Sequence, residues 1–372
     1  MENSHKILIT GGLGYIGSHT AVVFGQAGYD LVIVDNLSNS HIGVLDAIAQ
    51  LIGYKPKFYE ADIRNLNSLE KIFEENSDID GVIHFAAKKA VGESCQDPFL
   101  YYDNNIQGTT NLLKVMLNYN IKNMVFSSSA TVYDALKLIP PFSENDRLNT
   151  NNPYGTTKLM MEYLLKDMSS YKNFNSVILR YFNPIGAHSS GLIGETPKGI
   201  PSNLVPFVYK VAKGEIGKLN VWGNDYKTDD GTGVRDYIHV MDVAEAHLAS
   251  YKHILDYIQF QTMAENQVGL YDIFNIGTGH GQSVKEIIEI AEKITEKKIE
   301  YEMSPRRPGD IDISIANPLK AKQILGWEAT RSIFQSIEDG RKFVNNQDIP
   351  VVTLDNKPHS KPKQTSKSKP KK

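Results

Sequence analysis

Short apolar runs alternate along the chain with stretches whose apolar residues recur every three or four positions. KILIT (6–10), DLVIVDN (30–36), KFYEADI (57–63), GVIHFAA (81–87), NMVFSSS (123–129) and NSVILRYFN (175–183) read as buried strands. Between them, HTAVVFGQAG, HIGVLDAIAQLIG, NIQGTTNLLKVMLNYN and TTKLMMEYLLKDM carry a helical period. In the second of these, Ile42, Leu45, Ile48, Ala49 and Ile52 fall on one face. Strand and helix alternate from residue 6 to about 183. That rhythm predicts an α/β fold, a doubly wound parallel sheet of Rossmann type.

The pattern then changes. Residues 184–235 are rich in glycine, proline and asparagine, as in PIGAHSSGLIGETPKGIPSN. An unstructured loop of that length is improbable inside a compact protein, so the segment is expected to form a smaller α/β lobe. VMDVAEAHLASYKHIL and DIFNIGTG read as a helix and strand returning to the sheet. The expected division is 1–183 plus about 236–278 for the first domain, and about 184–235 plus 279–350 for the lobe. The lysine-rich end, 351–372, reads as a disordered solubilising tail, or less simply as an anion-binding arm.

Composition narrows the function classes. The chain has 372 residues, 41% apolar and 22% charged, proportions of a soluble globular protein. Its formal charge is −3, but seven lysines lie in 357–372, so the remainder is near −10. Such a body is a poor general partner for nucleic acid, although local arginines can still hold a small anion. Cys95 is the only cysteine, which excludes an intrachain disulfide and fits a reducing compartment. The opening MENSHKILITGG runs directly into the first strand, and no spanning apolar stretch follows. A soluble, cytoplasmic protein without a membrane partner is expected.

Glycines after the first strand bring in chemistry. Gly11, Gly14 and Gly17 give GxxGxxG, and Gly12, Gly14 and Gly17 satisfy GxGxxG, between a strand and a helix. That context suits a pyrophosphate at a helix N-terminus. Asp35 closes the second strand, 24 residues after Gly11. A carboxylate there accepts from ribose hydroxyls and repels a 2′-phosphate, and no arginine follows in DNLSNSHIG, so NAD is favoured over NADP. Asp62 follows another strand, either facing the adenine or capping the next helix.

Tyr154 and Lys158 stand four residues apart in NNPYGTTK, and Ser129 ends a strand 25 residues earlier. Strand ends and helix starts meet in one crevice of such a sheet. Tyrosine ordinarily titrates near 10. A cation at about 4 Å contributes about 4 kcal/mol at an effective dielectric of 20, roughly three pKa units. Tyr154 is thus expected to be acidified by Lys158 and to act as a base, with Ser129 holding the substrate oxygen.

TGGLGYIGSHT, DNLSNS, DIRN, HFAAKKAVGES, YYDNN, SSSATVY, NPYGTTK, RYFNPIGAH, GTGVRDYIHVMD and RRPGD together resemble the extended short-chain dehydrogenase/reductase family, and within it the UDP-glucose 4-epimerases. They spread over residues 10–310. The resemblance implies Ser129, Tyr154 and Lys158 as the catalytic set. It implies NAD contacts at Gly11, Gly12, Tyr15, Ile16, Asp35, Asn36, Asp62, Ile63, Phe85, Ala86, Lys89, Asn104 and Phe182, with Lys158 on the nicotinamide ribose. It places a UDP-hexose on Asn183, Asn203, Arg235, Arg307 and Asp310. The implied reaction removes hydride from sugar carbon 4 to tightly held NAD and returns it to the opposite face.

Three features depart from or refine this pattern. Asp134 stands where the family commonly has glycine, and Ala87 and Lys88 where glycine and leucine are common. Ser314, four residues after Asp310, sits where the family carries a large aromatic or a small residue on the sugar-pocket wall. The small kind leaves room for a 2-acetamido group, so N-acetylated UDP-hexoses are expected as substrates too. A 4,6-dehydratase would need an acid pair just after Ser129, where Ala130 and Thr131 stand. An inactive dinucleotide-binding regulator would often lose the tyrosine or lysine, and both are kept. Helices at about 103–119 and 154–170 carry apolar side chains; by resemblance they form a two-fold homodimer.

Overall fold

The computed structural model describes residues 5–196, 203–261, 268–307 and 309–346. Fourteen strands occur among them. They are β1 (Lys6–Thr10), β2 (Asp30–Asp35), β3 (Lys57–Glu60), β4 (Ile79–His84), β5 (Asn123–Ser129), β6 (Asn175–Tyr181), β7 (Asn183–Ile185), β8 (Leu219–Trp222), β9 (Val234–Arg235), β10 (Tyr237–His239), β11 (Tyr271–Ile276), β12 (Gln282–Ser283), β13 (Tyr301–Ser304) and β14 (Ile313–Ser314). Seven of these make one sheet in the order β11-β6-β5-β4-β1-β2-β3, with every pairing parallel.

Continuous apolar strands suit this sheet because both faces are covered. Alternation within β1 sorts its side chains by face. Ile7 and Ile9 join a cluster with Val22 and Phe24 of the helix Tyr15–Gln26 and with Ala246 and Tyr251 of the helix Val240–Gln261. Leu8 joins the opposite cluster, with Leu69, Leu112, Met161 and Leu165 from the helices Leu66–Glu74, Gly108–Asn118 and Pro153–Lys172. All three strand residues are fully buried, each contributing about 1.5–3 kcal/mol on burial.

Strand order reverses between β1 and β4, which opens a crevice at their C-terminal ends. Thr10 Oγ1 and His84 Nδ1 lie 2.6 Å apart there. The sequence-derived strands appear within about three residues of their expected limits. Two details differ. Ile42 is not on the buried helical face: it precedes the helix Gly43–Ile52 and is 51% exposed. The helix expected near 103–119 begins with a wide π-type turn, Tyr102–Gln107, before Gly108–Asn118.

A separate apolar cluster lies away from the sheet. It unites Val208, Ile287 and Ile337 from the helices Leu204–Ala212, Val284–Thr295 and Ile333–Asn346. Short ladders flank it: β10 with β7, β13 with β8, and β12-β9-β14. Ala321 and Trp327 instead join the sheet's core, the indole donating to Asp242 O at 3.0 Å. Asp236, fully buried between β9 and β10, accepts from Thr278 N and Oγ1, Gly279 N and Ala316 N at 2.7–3.1 Å. Among the described residues no helix is long and apolar enough to cross a membrane, and no cluster of His, Cys, Asp or Glu could hold a metal. The tail at 351–372 lies outside the described residues.

Candidate active site

The glycine segment turns sharply out of β1 into the helix Tyr15–Gln26. Gly11 adopts φ +67°, and a Cβ there would lie 2.8 Å from Ala86 N. A Cβ on Gly17 would come within 2.2 Å of Gly11 O. Only glycine lets strand end, turn and helix start approach this closely. Gly12 sits against Ile9 and Ile33, and Gly14 precedes the helix without any side-chain cap. The first helical N–H groups therefore face the crevice as donors for an anion. This cradle, with no Cβ in its path, fits a dinucleotide pyrophosphate.

Asp35, at the end of β2, is held by three donors: Leu13 N at 3.1 Å, Leu37 N at 2.9 Å and Ser40 Oγ at 2.7 Å. Its carboxylate keeps lone pairs for a ribose. Asn36 donates to Asp62 at 3.0 Å, and Arg64 grips the same carboxylate, holding it at about 2. Asn65, not Asp62, caps the helix Leu66–Glu74, so capping is not what holds Asp62 in place. Ile63 packs in the cluster of Leu8, and Ile16 against the opposite cluster, that of Ile7 and Ile9. The Phe85 ring lies 4.7 Å from that of His247, tilted by 49°, and Ala86 N reaches Thr10 Oγ1 at 3.4 Å. Asn104 is buried and donates to Asn105 at 3.0 Å. Asn105 in turn bonds both Lys88 N and O, which settles the loop geometry where family residues differ.

Ser129 ends β5, and Tyr154 and Lys158 lie on the first turns of the helix Pro153–Lys172. Asn152 caps that helix through Gly155 N at 2.8 Å, with Pro153 at its first position. The three side chains do meet. Ser129 lies near enough to the Tyr154 phenol to favour its charged form, Thr131 donates to Ser129 Oγ at 3.0 Å, and Lys158 Nζ lies 5.9 Å from the Tyr154 ring. The electrostatics differ from expectation. Burial pushes Tyr154 up to about 12, offset only partly by Ser129. Burial also pushes Lys158 down to about 7. Its ammonium donates to Ser127 O at 2.7 Å rather than to the phenol. In the unliganded protein, then, burial works against charge on both side chains, and desolvation of the phenolate outweighs what favours it.

The second half of the site lies on the short ladders. Arg235 on β9 pairs in register with Ser314 on β14, and Ser314 is buried. Arg235 Nη2 is 3.8 Å from Asp310, and Arg307 Nε donates to Asp310 at 2.9 Å. Asn183 begins β7, and Asn203, exposed at the start of the helix Leu204–Ala212, donates to Glu195 at 2.8 Å. Phe182 packs with Phe142 and Tyr133.

Several partners of these residues escaped the sequence reading. Glu195 also pairs with Lys89 at 3.0 Å, and Tyr15 OH donates to Gly186 O at 2.7 Å, so both cross from the cradle to the loop after β7. Tyr226 donates to Asp310 at 3.3 Å. Arg306, beside Arg307, is tied to Asp225 and Asp312 and stacks on Tyr226. Asp134 is buried and paired with Arg147 at 2.9 Å, which accounts for the missing glycine. None of these carries a local motif; only the adjacency of Arg306 to Arg307 gave a signal.

The family model described as "GDP-mannose 4,6 dehydratase" matches residues 8–340. A UDP-glucose 4-epimerase of Bacillus subtilis (strain 168) is 48% identical over 338 residues, 91% of this chain and 96% of the relative. The crystal structure of a Bifidobacterium longum UDP-glucose 4-epimerase in complex with NAD+ and UDP is 46% identical. It covers 92% of this chain and 98% of its own, with a TM-score of 0.85. The UDP-glucose-4-epimerase of Stenotrophomonas maltophila, with bound NAD and formylated UDP-arabinopyranose, is 42% identical over 92% of this chain and 98% of its own, with a TM-score of 0.86. The chain belongs to the family of that model and, at nearly half identity over nine tenths of its length, to the UDP-glucose 4-epimerases.

Proposed function

We propose that this protein interconverts UDP-galactose and UDP-glucose by inverting carbon 4 of the hexose through a 4-keto sugar. The observation that carries this reading is the convergence of Tyr154, Ser129 and Lys158 at the end of β5, beside the glycine cradle. NAD, when bound, supplies what side chains lack: it accepts the C4 hydride and returns it to the other face of the keto sugar. Gly11, Gly12, Gly14 and Gly17 would hold its pyrophosphate, Asp35 its adenosine ribose, and Lys158 its nicotinamide ribose.

Tyr154 takes the proton from the 4′-hydroxyl and later gives it back, while Ser129 holds that oxygen. The charge that favours the phenolate comes from the Lys158 ammonium, which the positive ring of a bound oxidised nicotinamide would reinforce. Arg235 and Arg307 hold the diphosphate by charge-assisted, forked bonds. Grip on UDP leaves the hexose free to turn between the two half-reactions. On this reading 1–183 plus about 236–278 serves the cofactor, and about 184–235 plus 279–350 serves the sugar nucleotide.

We infer a homodimer acting in the cytoplasm. The dimer reading is supported by Phe99, Met160, Tyr163 and Tyr171, which stand exposed around the helix Pro153–Lys172. Ser314, small and buried beside Arg235, supports a pocket that also admits 2-acetamido sugars. Ser314→Tyr is expected to abolish conversion of UDP-GlcNAc and UDP-GalNAc and to spare UDP-galactose. A wild type inert toward N-acetylated sugars sinks that extension.

Incubation of purified protein with UDP-galactose and no added NAD tests the main reading. UDP-glucose is the expected product. A deoxy-keto sugar would mean dehydration, and no product would mean a binding protein.

A further inference from the structure

Behind the Ser127-Ser128-Ser129 end of β5 lies a charged network with no access to solvent. Glu162 follows Lys158 by one helical turn, on the same face. Its carboxylate accepts from Ser128 Oγ at 2.5 Å and from Arg180 Nε and Nη2 at 3.1 and 2.6 Å. Arg180 on β6 pairs in register with Ser128. Both ionic residues are 1% exposed. The other end of Arg180 reaches away, donating through Nη1 to Tyr133 OH and Glu144 O at 3.0 Å. Tyr133 OH donates onward to Asn275 at 2.6 Å.

A buried ion pair is a poor source of stability, because desolvation offsets its attraction and an apolar pair would pack as well. What it does here is hold an orientation: the carboxylate, projecting from the helix that carries Lys158, is pinned against β5 and β6, and the guanidinium reaches on to Tyr133. Lys158 has no ion-pair partner within 4.0 Å among the described residues. Around it lie Ser127 O and Oγ at 2.7 and 3.5 Å, the Phe126 ring at 5.0 Å and the Tyr154 ring at 5.9 Å. His84, which also feels the Lys158 charge, is kept neutral by burial. Glu162 is the carboxylate whose charge reaches this ammonium and opposes the effect of burial.

We propose that Glu162, clamped by Arg180 and Ser128, is a positioning residue that supplies the counter-charge keeping the Lys158 ammonium protonated beside Tyr154. The proposal rests on the epimerase reading and adds a residue outside the serine, tyrosine and lysine set. Without that carboxylate, Lys158 sheds its proton at lower pH and the cation that assists Tyr154 is lost earlier.

The test is the pH profile of kcat for UDP-galactose in wild type, Glu162→Gln and Glu162→Asp. Glu162→Gln is expected to move the alkaline limb down by about one pH unit with KM unchanged, and Glu162→Asp to restore it. Since Glu162→Gln strands a buried guanidinium, the Glu162→Gln/Arg180→Met double variant, which leaves no charge unpaired, carries the same test; its limb is expected to move in the same direction by less. A folded variant of either kind whose kcat falls with an unmoved limb gives Glu162 a purely structural role and overturns the proposal. A wild type that converts no UDP-galactose removes the epimerase reading, and this proposal with it.

Discussion

The two ends of the crevice are built from different materials. At the cradle, recognition is written in main chain and packing: Gly11 and Gly17 close against backbone, and Asp35 is fixed by three donors. At the end proposed for the sugar nucleotide, long side chains are rooted in two-residue strands and loops, with Arg235, Arg307 and Tyr226 all turned toward Asp310. The first end is rigid and admits one shape. The second already satisfies its own charges, so an incoming diphosphate must compete with Asp310. A resident cofactor suits the first construction, and an exchanging substrate the second.

Substitutions at each end should therefore fail in different ways. The largest effect is expected for Gly17→Val, whose side chain has no room beside Gly11 O: NAD should no longer co-purify and epimerisation should vanish. Stoichiometric NAD extracted from the folded variant would count against a rigid cradle. Tyr154→Phe, between the two ends, should keep its NAD and lose about 10²–10⁴ in kcat; full-speed turnover would remove Tyr154 from the chemistry. Arg307→Ala should raise KM for UDP-galactose about 10–100-fold, the worth of a charge-assisted bond of about 1.5–3 kcal/mol, with kcat little altered. An unchanged KM would mean that Arg307 serves Asp310 alone.

A last effect is on stability in acid rather than on turnover. Three histidines buried on the cradle side are depressed by desolvation, His19 and His84 to about 3 and His247 to about 4. The unfolded chain binds protons near pH 6.5 that the folded chain refuses. Stability from these groups is thus fully present above about pH 6.5 and falls as pH drops toward 3, by up to about 1.4 kcal/mol per pH unit for each histidine. Unfolding midpoints should decline between pH 6.5 and 5, and a flat profile would show that these rings accept protons in place.

Legibility from sequence followed the same division. Strands β5 and β6 read directly because they are apolar runs between helices with their own period, and the glycines read because their spacing is itself the turn. The catalytic trio was legible as a pattern, yet its electrostatics were not: Lys158 turns to Ser127 O, and burial governs Tyr154. Nothing local announces Lys89 with Glu195, 106 residues apart, or Arg306 with Asp225, 81 apart, since such pairs exist only once the ladders form. Glu162 was readable in part, as an acid one turn beyond Lys158. Its partner Arg180, inside an apolar strand, was not.

Asp236 has a consequence for how this architecture can change. Its one carboxylate ties the chain at 278–279 and at 316 to its own position, so separate stretches enter the sugar-nucleotide region through a common root. Beyond that rivet, the intervening chain is free to lengthen, shorten or acquire new side chains without shifting the register of the parallel sheet. New substrate preferences can be grafted outward of a single buried acid while the hydride chemistry inward of it stays as it was.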